Sequence, residues 1–157
     1  MVEILFRYKY FPLLLGKSID DPAVVEYQKK FPYHKMVPTE RNTVAFQTIE
    51  NDADGNPIVY TVEAMMAMVL AHAREIASNY AEGPIVDAVI AVPSTWGQAE
   101  RLSVAQAAEL GGIKLHQLMN DNTAVALHYG VFHRKEIESK PMVSQGFVLL
   151  FLHSNII

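Results

Sequence analysis

The chain has 157 residues, of which half are hydrophobic and 19% charged; it has no cysteine and a formal net charge of −4. Its pI is near 5.8 and its mean hydropathy is +0.10. Lys and Arg never cluster beyond adjacent pairs, so the basic footprint of sequence-independent nucleic-acid binding is missing. The lack of cysteine excludes disulfides, thiolate chemistry and cysteine-based zinc sites. The size suffices for one domain with a sizeable core.

At the amino end, MVEILFRYKYFPLLLGK is broken by Arg7, Lys9 and Pro12 and makes a poor secretory signal. Phe11–Lys17 reads as a short helix or turn, and a loop containing Asp20-Asp21-Pro22 follows. Ala23–Lys30 is weakly helical and should stop at Phe31-Pro32, because a residue before proline is pushed out of the helical region. Asn42–Glu50 and Pro57–Val62 flank the turn-rich Asp52-Ala53-Asp54-Gly55-Asn56 and predict a partly exposed β-hairpin at the edge of the domain. Val44, Phe46, Thr48 and Glu50 fall on one face of its first strand and Ala45, Gln47 and Ile49 on the other.

Thr61–Ala81 carries the clearest helical pattern. Val62, Met65, Met66, Val69, Leu70, Ala73, Ile76, Ala77 and Tyr80 recur on one face, Thr61 is placed to cap the start, and Gly83-Pro84 stops the run. Met65 and Met66 follow the core spacing, so the local methionines read as a buried stripe. Val86–Val92 is almost continuously apolar and predicts a strand buried on both faces, ended by Pro93. This strand and the 61–81 helix are expected to pack together as the stable nucleus. A helical segment then runs to Gly111-Gly112, where one glycine can take the left-handed conformation. Ile113–Met119 is a second strand, and Asn120-Asp121-Asn122-Thr123 breaks it before a further helix. Two strands joined by a helix are most simply parallel with a right-handed crossover. Phe147–Leu152 is a last strand candidate, far too short for a membrane span. The chain closes on Asn155-Ile156-Ile157, which is no retention tetrapeptide, and there is no Asn-x-Ser/Thr sequon.

In open parallel sheets, ligands sit outside the carboxyl ends of the strands. Those ends carry Ser94 and Thr95 on one strand and Asn120, Asp121, Asn122 and Thr123 on the other. Against a complete phosphate site stand the eight glycines, at 16, 55, 83, 97, 111, 112, 130 and 146. They form no Gly-x-Gly, Walker or dinucleotide fingerprint, and a phosphate cradle needs backbone N–H groups that no β-carbon shields. The six histidines show no His-Glu-x-x-His, and no serine lies in a Gly-x-Ser-x-Gly elbow. No metal ligands are expected from these patterns.

The stretch also resembles the nucleotide-binding domain of the seventy-kilodalton heat-shock chaperone superfamily. The residues that carry the resemblance are Val92-Pro93, Gln98–Arg101, Ala107–Gly112, Asn120–Ala124 and Tyr129-Gly130. Asp121-Asn122 stands where commoner members have Glu-Pro, and with Tyr129–Phe132 and Arg134–Ile137 it resembles the large endoplasmic-reticulum branch. Leu14–Lys17, Asp21-Pro22 and Tyr27-Gln28 agree, so the resemblance covers roughly positions 7 to 138.

The resemblance implies an α/β fold of the actin-like ATPase (ribonuclease H-like) type. Residues 1–140 would be part of its first lobe, and 141–157 a divergent or truncated strand. It implies ATP or ADP with Mg as cofactor and an ATP-dependent chaperone of the secretory pathway. The partners would be a smaller heat-shock chaperone and unfolded clients, and the location the endoplasmic-reticulum lumen. An alternative is a non-catalytic module acting as nucleotide-exchange partner of the smaller chaperone. Asp121 matches the glutamate that orders water beside the metal, though aspartate is one methylene shorter; capping of the next helix by Asp121 or Asn120 stands beside that role. Asn120 and Thr123 are the candidate nucleotide contacts. Pro93 and Arg101 match residues that couple nucleotide state to the substrate domain, against the simpler roles of ending a strand and meeting solvent. The phosphate-contacting lysine is expected upstream of Met1; Lys9 and Lys17 are out of register and read as solvated. The two phosphate loops are expected before Met1 and after Leu152. The chain is therefore expected to be a fragment, inactive alone.

Overall fold

The computed structural model describes residues 7–135. They form two compact units, residues 7–88 with 97–116, and residues 89–96 with 117–135.

The first unit opens on a 3-10 turn, Phe11–Leu14, whose Pro12 presets the helical φ and whose Phe11 and Leu14 are buried. Helix α1, Pro22–Lys30, starts where the Asp21 side chain accepts the Ala23 N–H at 2.8 Å, and its C-cap is Phe31, the residue before Pro32. Strands β1 (Lys35–Pro38), β2 (Val44–Asn51) and β3 (Pro57–Thr61) make an antiparallel sheet in that order. The expected hairpin is β2–β3. Its loop is held by Asp52, whose carboxylate accepts the N–H groups of Asp54 (3.0 Å) and Asn56 (2.8 Å). Gly55, at φ +83°, takes the left-handed position. The register slips between Gln47 and Asn51, where the Thr48 hydroxyl is within hydrogen-bond distance of both the Ile58 and Glu50 carbonyls. That slip explains the imperfect alternation of the sequence. Val44, Ala45 and Phe46 are all buried, so both faces are covered at this end, while Ile49 is exposed.

Helix α2, Val62–Tyr80, is capped by Thr61, whose hydroxyl accepts the Ala64 N–H at 3.1 Å. Of its expected apolar stripe only Val62 and Met65 are buried; Met66 is half-buried, Ile76 and Tyr80 face solvent, and Ala67, outside the stripe, is buried as well. Its principal neighbour is helix α3, Gln98–Leu110, rather than the strand expected at 86–92. The crossing is close: a β-carbon on Gly111 would lie 2.9 Å from the Ala67 carbonyl oxygen. Gly112, at φ +72°, is the left-handed glycine, and Arg74 Nη1 donates to its carbonyl at 2.7 Å. Inside the crossing, Ser103 Oγ donates to Glu63 Oε1 at 2.7 Å, with both residues buried. A carboxylate survives there because it has a donor and sits in the first turn of α2, at the positive end of the helix dipole.

Strand β4 (Asp87–Val92) pairs with β5 (Lys114–Asn120), and the parallel strand–helix–strand unit fits an actin-like ATPase fold. Asp87 Oδ1 takes His116 Nε2 at 2.8 Å and Lys114 Nζ at 3.4 Å across the strands. Both bases hold the Asp87 carboxyl below its usual range, His116 most. The expectation of a strand buried on both faces is corrected: burial alternates along β4, and only Val92 is fully buried. Within the described residues β4 has one strand neighbour, so its apolar run has less to pack against than a central strand does.

The second unit holds the ends of both strands and helix α4, Asp121–Phe132, which has no buried residue. Its side chains pair along its own surface instead, His128 with Phe132 at 4.5 Å and Tyr129 with His133 at 4.2 Å. Among the described residues no helix is long and apolar enough to cross a membrane. The strand candidate Phe147–Leu152, and the whole of 141–157, lie outside the described residues.

Candidate functional site

Two loops of the second unit meet where the sequence places the carboxyl ends of the strands. Pro93 ends β4 and starts a turn in which the Trp96 N–H donates to the Pro93 carbonyl at 3.1 Å. The turn leaves the Ser94 N–H pointing at Asp121, whose Oδ1 accepts it at 3.2 Å. The same oxygen accepts the Asn122 N–H at 2.7 Å, and Asn122 Nδ2 donates to Ser94 Oγ at 3.2 Å. Ser94, Asp121 and Asn122 thus form a closed polar triangle. Both donors converge on Oδ1, which leaves Oδ2 outside these bonds. Asp121 is half-buried, Ser94 exposed.

The two roles open for Asp121 are both visible in this geometry. It occupies the first position of α4 and satisfies the Asn122 N–H, one of the donors that a helix start leaves unpaired. Asn120 takes the N-cap backbone position but makes no side-chain cap. Thr123 is exposed in the first turn of α4. A carboxylate with one oxygen fixed by two N–H groups and the other unengaged by them can still orient a water or a hydrated cation.

Arg101 lies half-buried on α3, in the first unit, where its N–H donates to the Gly97 carbonyl at 3.2 Å to start the helix. The reading of Lys17 as solvated is corrected. Its ammonium donates to Glu100 Oε1 at 2.6 Å and lies 4.0 Å from Asp21. This one hydrogen bond, donated by Lys17 and accepted by Glu100, raises the Lys17 pKa and lowers that of Glu100. Gly16 explains the reach: at φ +67° it lies against the first turn of α3, and a β-carbon there would be 2.6 Å from the Ala99 carbonyl carbon. The Gly16-Lys17 pair is therefore a seam onto α3. Lone glutamates at a helix start carry no pairing signal, so sequence spacing could not supply this contact across 83 positions.

The site can be tested for fit to a magnesium nucleotide. One carboxylate suits a hydrated cation, but among the described residues no group of three His, Cys, Asp or Glu side chains could hold a metal ion. The left-handed glycines are engaged elsewhere, Gly16 on α3, Gly55 in the hairpin and Gly112 beside Arg74. Lys17 is held by Glu100. The described residues fit one corner of such a site and not its phosphate part.

Parallel strand, helix and strand with polar groups at the carboxyl ends define an α/β protein of the nucleotide-binding type. The family model described as Hsp70 protein matches residues 5–147, and the chain belongs to that family. It is 49% identical over 133 residues to hypoxia up-regulated protein 1 of Danio rerio, covering 84% of this chain and 13% of that protein. The human protein of the same name is 46% identical over 132 residues, covering 83% of this chain and 13% of the relative. That of Gallus gallus is 46% identical over 141 residues, covering 89% and 13%. The chain spans about an eighth of the length of these relatives.

Proposed function

We propose that this chain is a first-lobe segment, residues 1–140, of the nucleotide-binding domain of an ATP-dependent Hsp70-type chaperone of the endoplasmic-reticulum lumen. The observation that carries this reading is the match to the Hsp70 family over residues 5–147. The Ser94–Asp121–Asn122 triangle at the strand ends supports it. In the parent activity ATP with Mg supplies the driving chemistry. This chain contributes a carboxylate at Asp121 that orients water, with Asn120 and Thr123 beside it. Pro93 and Arg101 would pass the nucleotide state to a substrate domain holding unfolded clients.

A second reading rests on the absence of a phosphate cradle among the described residues and on the capture of Lys17 by Glu100. In it the segment works without catalysis, gripping a smaller chaperone and assisting its nucleotide exchange. Calorimetric titration with Mg-ATP, beside a phosphate-release assay, separates the two. Electrostatic stabilisation of a transferring phosphoryl group needs donors, metal and cation held together, so neither micromolar binding nor turnover is expected from this chain. Micromolar binding, or turnover abolished by Asp121→Ala, overturns that expectation. Capture of the smaller chaperone without nucleotide favours the second reading.

A further inference from the structure

A cavity of about 490 Å³ opens in the first unit between the 3-10 turn and α1. Its size is that of a small-molecule site. Tyr10, Tyr27 and Phe31 give it three aromatic walls, Leu14 adds apolar surface, and Glu26 and Lys30 line it from α1. Two of the rings are fixed by contacts of their own. The Tyr27 hydroxyl donates to the Lys9 carbonyl at 2.8 Å, and its oxygen is 3.1 Å from His34 Nδ1. Phe31 stacks on the His34 ring, with 5.3 Å between centroids and 7° between planes. Phe31 also meets Tyr27 at 4.8 Å and Tyr10 at 6.2 Å, tilted by 42° and 34°.

Tyr10 stands apart from the other two. Its backbone takes the left-handed region at φ +60°, which a bulky non-glycine residue enters only at a cost in free energy. Burial of the ring does not offset that cost, because Tyr10 is 66% exposed. What the conformation achieves is a third aromatic wall on the cavity.

We propose that this cavity binds a small organic cation of the alkylammonium class, its charge held between the aromatic faces and the Glu26 carboxylate. Ring faces are electron-rich and attract a cation within about 6 Å of their centroids. With Tyr10 and Phe31 6.2 Å apart, one ion can lie that close to both. The same faces and the Glu26 carboxylate repel an anion. Lys30 is the competing charge. Its ammonium lies 2.8 Å from Glu26 Oε1, so this wall already accommodates one cation. The two side chains are 66% and 68% exposed, and an exposed pair four positions apart on a helix contributes little. A ligand that takes over the Glu26 pairing and also gains the ring faces therefore displaces Lys30 into solvent. Lys30 acts as a plug that weakens binding without preventing it.

The test titrates the whole chain at neutral pH with three probes of one shape: choline, its uncharged carbon isostere dimethylbutanol, and the dimethylbutanoate anion. NMR shifts of the Tyr10, Tyr27 and Phe31 ring protons locate the site and give each Kd. Choline should bind there at least about threefold more tightly than the neutral isostere, and the anion more weakly than either. Glu26→Gln should erase most of that preference. Lys30→Gln, which frees Glu26, should widen it by roughly two- to fivefold. Tyr10→Leu keeps apolar bulk but removes a ring face, and should narrow it. Equal binding of choline and its isostere, tighter binding of the anion, a preference that narrows in Lys30→Gln, or no saturable shift at these three rings overturns the proposal. The comparison of the three probes on the unaltered chain decides it even if a variant fails to fold.

Discussion

The two units use apolar residues to opposite ends. In the first, Phe46, Leu15, Met65 and Ala107 have no exposed surface. In the second, α4 is a strongly apolar helix with no buried residue, and its Leu127, Val131 and Phe132 are each more than half exposed. Hydrophobic periodicity states what an element is able to bury, and burial itself depends on a neighbour. In the first unit the neighbours are α2 against α3 and the aromatic residues against β2. Among the described residues α4 has no comparable partner.

The largest test of this contrast is truncation of matched apolar side chains. Phe46→Ala should cost about 3–5 kcal/mol, transfer and cavity terms together. Leu127→Ala should cost under about 0.5 kcal/mol, as exposed positions do. Urea denaturation of the two variants reads the difference, and equal losses would erase the distinction between the units.

Glycine gives a test with opposite signs. Gly16→Ala places a β-carbon against the Ala99 backbone at a positive φ and should destabilise by about 1–3 kcal/mol. Gly130→Ala, in α4 with nothing within 4 Å of the new atom, should stabilise by up to about 1 kcal/mol. Thermal melts that show both changes harmful would mean that α4 is packed after all.

Polar burial sharpens the same line. Ser103→Ala removes the donor from the buried Glu63 carboxylate and should cost about 1–3 kcal/mol. Ser94→Ala, at an exposed hydroxyl of the second unit, should fall within about 0.5 kcal/mol. Denaturation midpoints compare them directly.

The smallest effect is expected at Lys17–Glu100. A double-mutant cycle with Lys17→Met and Glu100→Gln should return a coupling of about 1 kcal/mol. Glu100 is lowered in the fold and Lys17 raised. The Glu100 contribution is therefore present above its unfolded value and lost as acid takes the pH through the folded one. The Lys17 contribution is present below its unfolded value and lost as alkali takes the pH through the folded one. Coupling that persists at pH 2 would assign the effect to packing of the lysine stem.

Much of this fold was legible where the signal is local. Thr61 and the Gly83-Pro84 stop bracket α2 to within a residue or two, and Asp52–Asn56 locates the β2–β3 turn. Gly111-Gly112 marks the end of α3, and Asn120–Thr123 the start of α4. Strand β1 escaped because four residues, Lys35–Pro38, carry no alternation of their own and exist through pairing with β2. Glu63 escaped because nothing in a helix's first turn distinguishes a buried carboxylate from a solvated one. At the site, Asp121 was legible from residue type and position. Its fixing by the Ser94 N–H was not, since backbone donors leave no mark in side-chain identity.

The seam between Gly16–Lys17 and α3 also sets an order of events at the ribosome. The aromatic cluster around Tyr27 closes over short loops, 7 residues from Tyr27 to His34 and 18 from Lys9 to Tyr27. Lys17 must wait for a partner 83 positions later. At synthesis rates of about 5–20 residues per second, that wait is roughly 4–17 s, far longer than the microseconds in which short loops and hairpins form. Throughout that interval Gly16 and Lys17 have no α3 to close on, and their side of the turn stays open.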